Sequence, residues 1–241
     1  MNYLLFALAI LPGMLICFAM YRIDKYDREP LSVIVASFLL GIASCLPAYF
    51  IESTARKVDL GVAASVAGQA TMTSSLLETA ILAFLVVALT EEGCKYLFLR
   101  FYCYNHKAFN EPLDGIIYSV AVSMGFATWE NVVYGMENDT TTLVLRMVTA
   151  VPAHAAFAII MGYHLGLAKF ETQGIDRRLA GLAAAILAHG LYDFLLFQTV
   201  SPLARLLAFV VLAVCVFQAW GLLRTLLVDS KKRWGGNSMG N

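Results

Sequence analysis

Residues 75–99 read SLLETAILAFLVVALTEEGCKYLFL, an apolar run that carries two glutamates and a lysine near its end. A helix of about 20 apolar residues crosses a hydrocarbon core of about 30 Å. Runs of this length recur from one end of the chain to the other, which predicts about seven membrane spans. We place them at about 3–21, 31–51, 75–99, 113–136, 143–168, 179–198 and 202–227.

The composition is that of a membrane protein. Of the 241 residues, 60% are hydrophobic and 14% are charged, whereas about 25% of the residues in soluble domains are charged. Lipid offers the backbone no hydrogen bonds, and the apolar runs lack the alternation of a membrane barrel, so we expect helices. The prediction is an all-α polytopic bundle that forms a single transmembrane domain over residues 1–241. Pro12, Pro47 and Pro152 lie inside predicted spans and should kink them or unwind a turn.

The distribution of charge predicts the partners and the orientation. The net charge is zero and no basic stripe is present, so we expect the lipid bilayer as a partner and no nucleic acid. Lysines and arginines gather after the first, third, fifth and seventh spans. Because cytoplasmic loops are enriched in these residues, we expect the N-terminus outside and the C-terminus in the cytoplasm. The five cysteines lack a framework spacing, and we expect no structural disulfide.

Several ionisable residues fall inside the predicted spans. Such a residue at mid-bilayer costs at least ~2.5–3.5 kcal/mol on insertion scales, so it suggests a function. These residues are Glu91, Glu92 and Lys95 on the third span, Glu130 on the fourth, His154 on the fifth, and His189 and Asp193 on the sixth. Because four consecutive spans each supply acids or histidines, we predict that they share one site.

Spacing along the helices predicts two contacts within this set. Glu91 and Lys95 are four residues apart and can pair on one helical face, which would leave Glu92 as the freer carboxylate. His189 and Asp193 are also four apart, so Asp193 can hold one imidazole nitrogen while the other faces a substrate, a water or a metal.

Purely structural roles remain open for some of these residues. Glu91 and Lys95 could form an ion pair that joins helices, and His154 could be a polar contact between spans. Asp193 could serve only to hold His189 in place. These explanations account for single residues but not for the whole set.

Four motifs occur along the predicted spans, which are EEGCK at 91–95, FATWEN at 126–131, His154, and HGLYD at 189–193. In these motifs, which match EExxK, FxxxEN, a third-motif histidine and HGxxD, the chain resembles the PrsW family of intramembrane proteases, which is related to the CAAX prenyl proteases and the bacteriocin-processing superfamily. The segment DKYDREP at 24–30 is also similar to the first loop of that family. The resemblance covers most of residues 20–197, and we place the catalytic core at about 75–197.

This resemblance implies a bacterial cell (inner) membrane protease that cleaves membrane-anchored substrates near the outer face. It implies an anti-sigma factor as the substrate, in a site-1 cleavage that leads to release of a transcription factor during stress signalling. It also implies that the paired glutamates and His189 are needed for activity.

Two mechanisms satisfy the needs of peptide hydrolysis, which are an activated water, a polarised carbonyl and an acid for the leaving amine. In the metal-free version Glu92 is the general base and the two histidines donate to the oxyanion. In the metal version His154, His189 and either Glu92 or Glu130 hold a divalent ion such as Zn²⁺, which lowers the pKa of its water to about 7. The sequence favours Glu92 as the base and leaves the metal open.

Two other functions compete with proteolysis. Charged residues that line helices also mark ion pathways, so an ion- or proton-coupled transporter is one alternative. It predicts paired inverted halves, and the sequence contains no such symmetry. A non-catalytic membrane scaffold of the same fold is the other, and the retention of every motif acid and histidine argues against it.

Overall fold

The computed structural model describes residues 3–57, 76–137, 140–170, 174–198 and 202–235. Within these ranges all regular structure is helical, which confirms the all-α prediction. The helices are α1 Tyr3–Ile23, α2 Leu31–Lys57, α3 Leu76–Ala80, α4 Leu89–Phe101, α5 Pro112–Glu137, α6 Thr140–Val148, α7 Ala150–Phe170, α8 Gly174–Phe197 and α9 Pro202–Trp234. A π-helical segment, Ile81–Ala88, joins α3 to α4, and a short 3-10 turn, Cys103–Asn105, follows α4.

Within the described residues, six helical stretches have the length and composition needed to cross a membrane, so the polytopic bundle is also confirmed. They are Leu5–Ile23, Leu31–Ala55, Pro112–Met136, Thr140–Phe170, Arg177–Phe197 and Leu203–Trp234. The third predicted span, 75–99, corresponds to the continuous helical stretch 76–101. Residue 75 itself lies outside the described ranges. This stretch differs from the six because a π-helical segment interrupts it and because it buries two glutamates and a lysine.

Helix α5 is the centre of the bundle. It packs against α7, α2 and α1, and it is the most buried of the six spans. A Cβ atom added to Gly125 of α5 would lie 1.9 Å from the carbonyl oxygen of Phe38 in α2. One added to Gly162 of α7 would lie 2.4 Å from the carbonyl oxygen of Gly115 in α5. Small residues therefore bring these backbones together, as is common in membrane helix pairs.

The predicted break at Pro152 is present. The long stretch Thr140–Phe170 is divided into α6 and α7 at Thr149, three positions before the proline. Proline has no N–H to donate to the carbonyl four residues earlier, which weakens the helix at this point. Helices α1 and α2 continue through Pro12 and Pro47. The turn at Thr149 sets α6 as a separate short helix beside α5 and α7.

The π-helical segment lies directly before the EEGCK motif and packs against α8. Its Phe84 occupies the space beside Gly190, where an added Cβ would lie 2.3 Å from Cδ1 of the ring. The absence of a side chain at Gly190 thus allows α8 to approach this segment. This approach sets His189, the preceding residue, beside the start of α4.

A polar region lies at the N-terminal end of α5, opposite the end that carries Glu130. It ties the connection between α1 and α2 to the bundle. Asp24 and Glu29 of this connection are buried, and Oδ2 of Asp24 accepts a hydrogen bond from the backbone N–H of Glu29. The hydroxyl of Tyr118 in α5 donates to Oε2 of Glu29. Glu111, just before α5, accepts hydrogen bonds from Ser230 and Trp234 of α9.

Candidate active site

The ionisable residues predicted from the sequence meet in one place. Glu91, Glu92 and Lys95 lie on α4, Glu130 on α5, His154 on α7, and His189 and Asp193 on α8. All are buried except Glu130, whose side chain is 22% exposed. The structure thus brings together the predicted residues of four consecutive spans, and their shared role stays a prediction.

Lys95 lies at the centre of the cluster. Its Nζ atom donates to Oε2 of Glu91 at 3.2 Å and to Oε1 of Glu92 at 2.8 Å. Lys95 pairs with Glu91 as predicted, but Glu92 is not the freer carboxylate, because it is the nearer partner of Lys95. A lysine side chain is long enough to reach the residues three and four positions earlier in its own helix. The buried ammonium therefore donates to both carboxylates.

His154 is held from both sides of its ring. Its Nδ1 lies 3.1 Å from Nζ of Lys95, and its Nε2 lies 3.0 Å from Oε2 of Glu130. An ammonium can only donate, so Nδ1 accepts and the proton of the neutral ring is on Nε2, where it is donated to Glu130. Glu130 thus fixes the tautomer and the orientation of His154.

His189 also has two partners. Its Nε2 lies 3.2 Å from Oδ2 of Asp193, which confirms the contact predicted from their spacing. Its Nδ1 lies 2.9 Å from Oε1 of Glu92. Only a doubly protonated ring donates to both carboxylates at once. The ring of Phe157 stacks on His189, with centroids 5.1 Å apart, and limits its rotation.

Arg146 belongs to the site, although none of the sequence motifs contains it. Its Nη2 lies 3.0 Å from Oε2 of Glu130, and its Nε donates to Oδ1 of Asn131 at 2.8 Å. Its guanidinium covers the ring of Tyr134, 3.8 Å from the centroid. The sequence offered one signal, which is that Arg146 is an isolated basic residue just inside the predicted start of the fifth span at 143.

Four side chains could together hold a metal ion. Glu91, Glu92, His154 and His189 each offer one ligand atom, and these atoms lie within 4.8 Å of one another. We call these four residues the donor group. Two imidazole nitrogens with carboxylate oxygens suit Zn²⁺. Oε2 of Glu92 is buried and has no hydrogen-bond partner among the described residues, so a lone pair is free for such an ion.

Glu130 lies outside the donor group, which corrects its place in the predicted ligand set. Its carboxylate is on the Nε2 side of His154, whereas Lys95 and the glutamates of α4 are on the Nδ1 side. Glu130 is thus a residue that orients His154. The same arrangement, a carboxylate on the second nitrogen of a histidine, is usual around metal-binding imidazoles.

A cavity of about 790 Å³ opens beside the cluster. Its polar wall includes Glu91, Glu130, His154, His189 and Asp193, and the rest is mostly apolar and aromatic, with Phe126, Trp129 and Phe157 among its lining residues. Glu92 is fully buried and lies behind this wall. The cavity is large enough for a short extended segment of polypeptide.

Comparisons with known proteins agree with the motifs. Residues 29–220 match the model of the PrsW family, described as intramembrane metalloproteases. The chain is 37% identical to Protease PrsW of Geobacillus kaustophilus, over 80% of this chain and 79% of that protein. It is 34% identical to Protease PrsW of Clostridioides difficile, over 97% of this chain and 95% of that protein.

Protease PrsW of Bacillus subtilis is 31% identical, over 84% of this chain and 87% of that protein. No solved structure matches the chain. The family model spans most of the sequence, and the relatives are aligned over most of their length. The chain therefore belongs to the PrsW family of intramembrane proteases.

Proposed function

We propose that the protein is an intramembrane endopeptidase that hydrolyses a peptide bond of a membrane-anchored protein. The observation that carries this proposal is the convergence of two glutamates and two histidines from three helices beside one cavity. Peptide hydrolysis requires a base for water and donors for the developing oxyanion in such a space.

In this proposal Glu91 accepts the proton of the attacking water. Glu91 lines the cavity, whereas Glu92 is fully buried and holds Lys95 and His189. This assignment replaces the preference for Glu92 that the sequence alone suggested. As the water oxygen attacks the carbonyl carbon and the C–N bond breaks, Glu91 passes the proton to the nitrogen of the leaving amine. The positively charged ring of His189 lines the cavity and stabilises the negative charge that develops on the carbonyl oxygen.

The donor group also suits the metal ion that the description of the family implies. When bound by the histidines and a glutamate, Zn²⁺ would polarise the carbonyl and lower the pKa of its water to about 7. The remaining residues of the site orient these ligands. Glu130 holds His154, Asp193 holds His189, and Arg146 holds Glu130.

The substrate that we propose is an anti-sigma factor with one membrane span. Its support is the resemblance of the four motifs to the PrsW family. We also propose that the chain resides in the bacterial inner membrane with its N-terminus outside. In that orientation Glu130, near the end of α5, and His154, near the start of α7, lie in the outer half of the bilayer.

Reconstitution in lipid vesicles tests the proposed function. The purified protein is mixed with a single-span anti-sigma factor, and the products are sized by mass spectrometry. We expect cleavage by the wild type and none by Glu91→Gln or His189→Ala. Equal cleavage by all three proteins would overturn the proposal, and cleavage of only the extramembrane domain at a distance from the bilayer would overturn the intramembrane site.

A further inference from the structure

The donor group already contains a cation of its own. Nζ of Lys95 lies 3.2 Å from Glu91, 2.8 Å from Glu92 and 3.1 Å from Nδ1 of His154. It thus contacts three of the four residues that could hold a metal ion. Its side chain is only 3% exposed.

The same lone pairs cannot serve the ammonium and a metal ion together. A divalent ion bound to these atoms would lie close to Nζ, and two cations at such a separation repel strongly where water is excluded. His154 has one free lone pair in the ring, at Nδ1, because its Nε2 proton is directed to Glu130. Metal binding at His154 therefore requires the Lys95 ammonium to leave Nδ1.

The structure provides a place for the displaced ammonium. Nζ lies 4.1 Å from the centroid of the Phe126 ring, and this ring lines the cavity. A rotation of the lysine side chain across this ring would carry the ammonium towards the cavity while the cation–π contact is kept. Glu91 also lines the cavity and could follow the ammonium as a partner.

We propose that Lys95 is the resident cation of the donor group and that a divalent metal ion binds by displacing it. In the metal-free protein the ammonium holds Glu91, Glu92 and His154 together against the repulsion between the two carboxylates. The same contacts make Lys95 a competitor, so this residue sets the metal affinity. The inference rests on the metal site of the proposed function and not on the identity of the substrate.

The test is the affinity of the full-length protein for Zn²⁺, measured in detergent without substrate by competition with a fluorescent chelator. Lys95→Met removes the competing charge and retains the length of the side chain. We expect it to bind Zn²⁺ at least tenfold more tightly than the wild type. Lys95→Arg keeps the charge, and we expect it to bind no more tightly than the wild type.

Lys169→Met is the matched control, because it removes a partly buried lysine of α7 that donates to the backbone carbonyls of Tyr104 and Phe109 and contacts none of the donor group. A change of less than about threefold would show that a general loss of positive charge is not the cause. If the affinity of Lys169→Met rises as much as that of Lys95→Met, the proposal is overturned. It is also overturned if Lys95→Met binds Zn²⁺ no more tightly than the wild type, or if neither protein binds Zn²⁺.

Removal of Lys95 could prevent folding of the metal-free protein, since two buried carboxylates would lose their counter-ion. Lys95→Gln, whose amide can still donate to a glutamate, is the second variant. Its unfolding temperature should rise more on addition of Zn²⁺ than that of the wild type, and an equal or smaller rise would contradict the proposal. If the Zn²⁺ affinities follow these expectations but the wild type cleaves no substrate, the proposed function is overturned and this inference stands.

Discussion

Arg146 and Glu130 form an ion pair between α6 and α5, and the same oxygen of Glu130 lies 3.0 Å from Nε2 of His154. The pair links the short helix after α5 to the histidine of α7. Arg146 does not contact the donor group, so its effect on the reaction passes through Glu130. It is a positioning residue for His154.

We expect Arg146→Ala to lower the rate of cleavage by about 10- to 100-fold, the range found when outer partners of a catalytic histidine are removed. Arg146→Lys should recover part of the rate, because it retains the charge but loses the second contact with Asn131. Cleavage of a reconstituted single-span substrate measures both variants.

Arg205 on α9 is the control for Arg146, since its side chain is exposed and lies on a different helix. Arg205→Ala should cleave at the wild-type rate. A similar loss of activity in both alanine variants would indicate a general effect of arginine removal on the membrane-inserted protein and would contradict the positioning role.

The two glutamates of the EEGCK motif should differ in what their removal does. Glu91→Gln is expected to reduce the rate of cleavage by roughly 10²–10⁴-fold, the usual contribution of a general base. Glu92→Gln is expected to lower the unfolding temperature as well, because Glu92 is fully buried and holds both Lys95 and His189. Cleavage assays and thermal unfolding in detergent separate the two effects.

Glu78 is the matched control for these variants. It precedes the motif on the same helical stretch and lies on α3, outside the donor group and the cavity lining. Glu78→Gln should cleave within about twofold of the wild type, as is usual for substitutions away from a site. An active Glu91→Gln beside an inactive Glu92→Gln would transfer the role of base to Glu92.

The contacts that were predictable from the sequence are those within one helix. The four-residue spacings of Glu91 with Lys95 and of His189 with Asp193 follow from the helical repeat, and both pairs form. The spans were also predictable, because an apolar run long enough to cross the bilayer can be recognised from the sequence alone. All five cysteines are free, as their spacing indicated.

Contacts between helices were not predictable, because they depend on how each helix is rotated about its axis. The contact of His154 with Lys95 and that of His189 with Glu92 are of this kind. Arg146 joins the site only because the chain turns at Thr149 and places α6 against α5. No periodicity within α6 contains that information.

The connection between α1 and α2 should make the stability depend on pH. Burial raises the pKa of Asp24 from 3.8 to about 6, although the backbone N–H of Glu29 acts against the shift. Burial and the neighbouring carboxylate of Asp114 raise the pKa of Glu29 as well. The folded protein therefore holds protons that the unfolded chain releases.

The contribution of Asp24 to stability is complete below about pH 4 and is lost as the pH rises through about 6. Asp24→Asn cannot ionise, so its unfolding temperature should exceed that of the wild type by more at pH 7 than at pH 4.5. A constant difference between Asp24→Asn and the wild type would contradict the prediction.

The glycine of the HGLYD motif should tolerate no side chain. A Cβ atom at Gly190 would lie 2.3 Å from Cδ1 of Phe84, so the ring or the helix must move. Overpacking of this kind costs about 1–3 kcal/mol. We expect Gly190→Ala to lower the unfolding temperature and also to reduce cleavage, because His189 moves with the helix.

Gly93 of the EEGCK motif provides the opposite case, since a Cβ atom there would meet nothing within 4 Å. Gly93→Ala should leave cleavage unchanged and raise the stability by up to about 1 kcal/mol, because alanine favours a helix more than glycine does.

If the loss in Gly190→Ala comes from Phe84, the double variant Gly190→Ala with Phe84→Leu should recover part of both stability and cleavage. If the double variant recovers neither property while Gly93→Ala is as stable as expected, the small residue at 190 has a role other than allowing α8 to approach the π-helical segment.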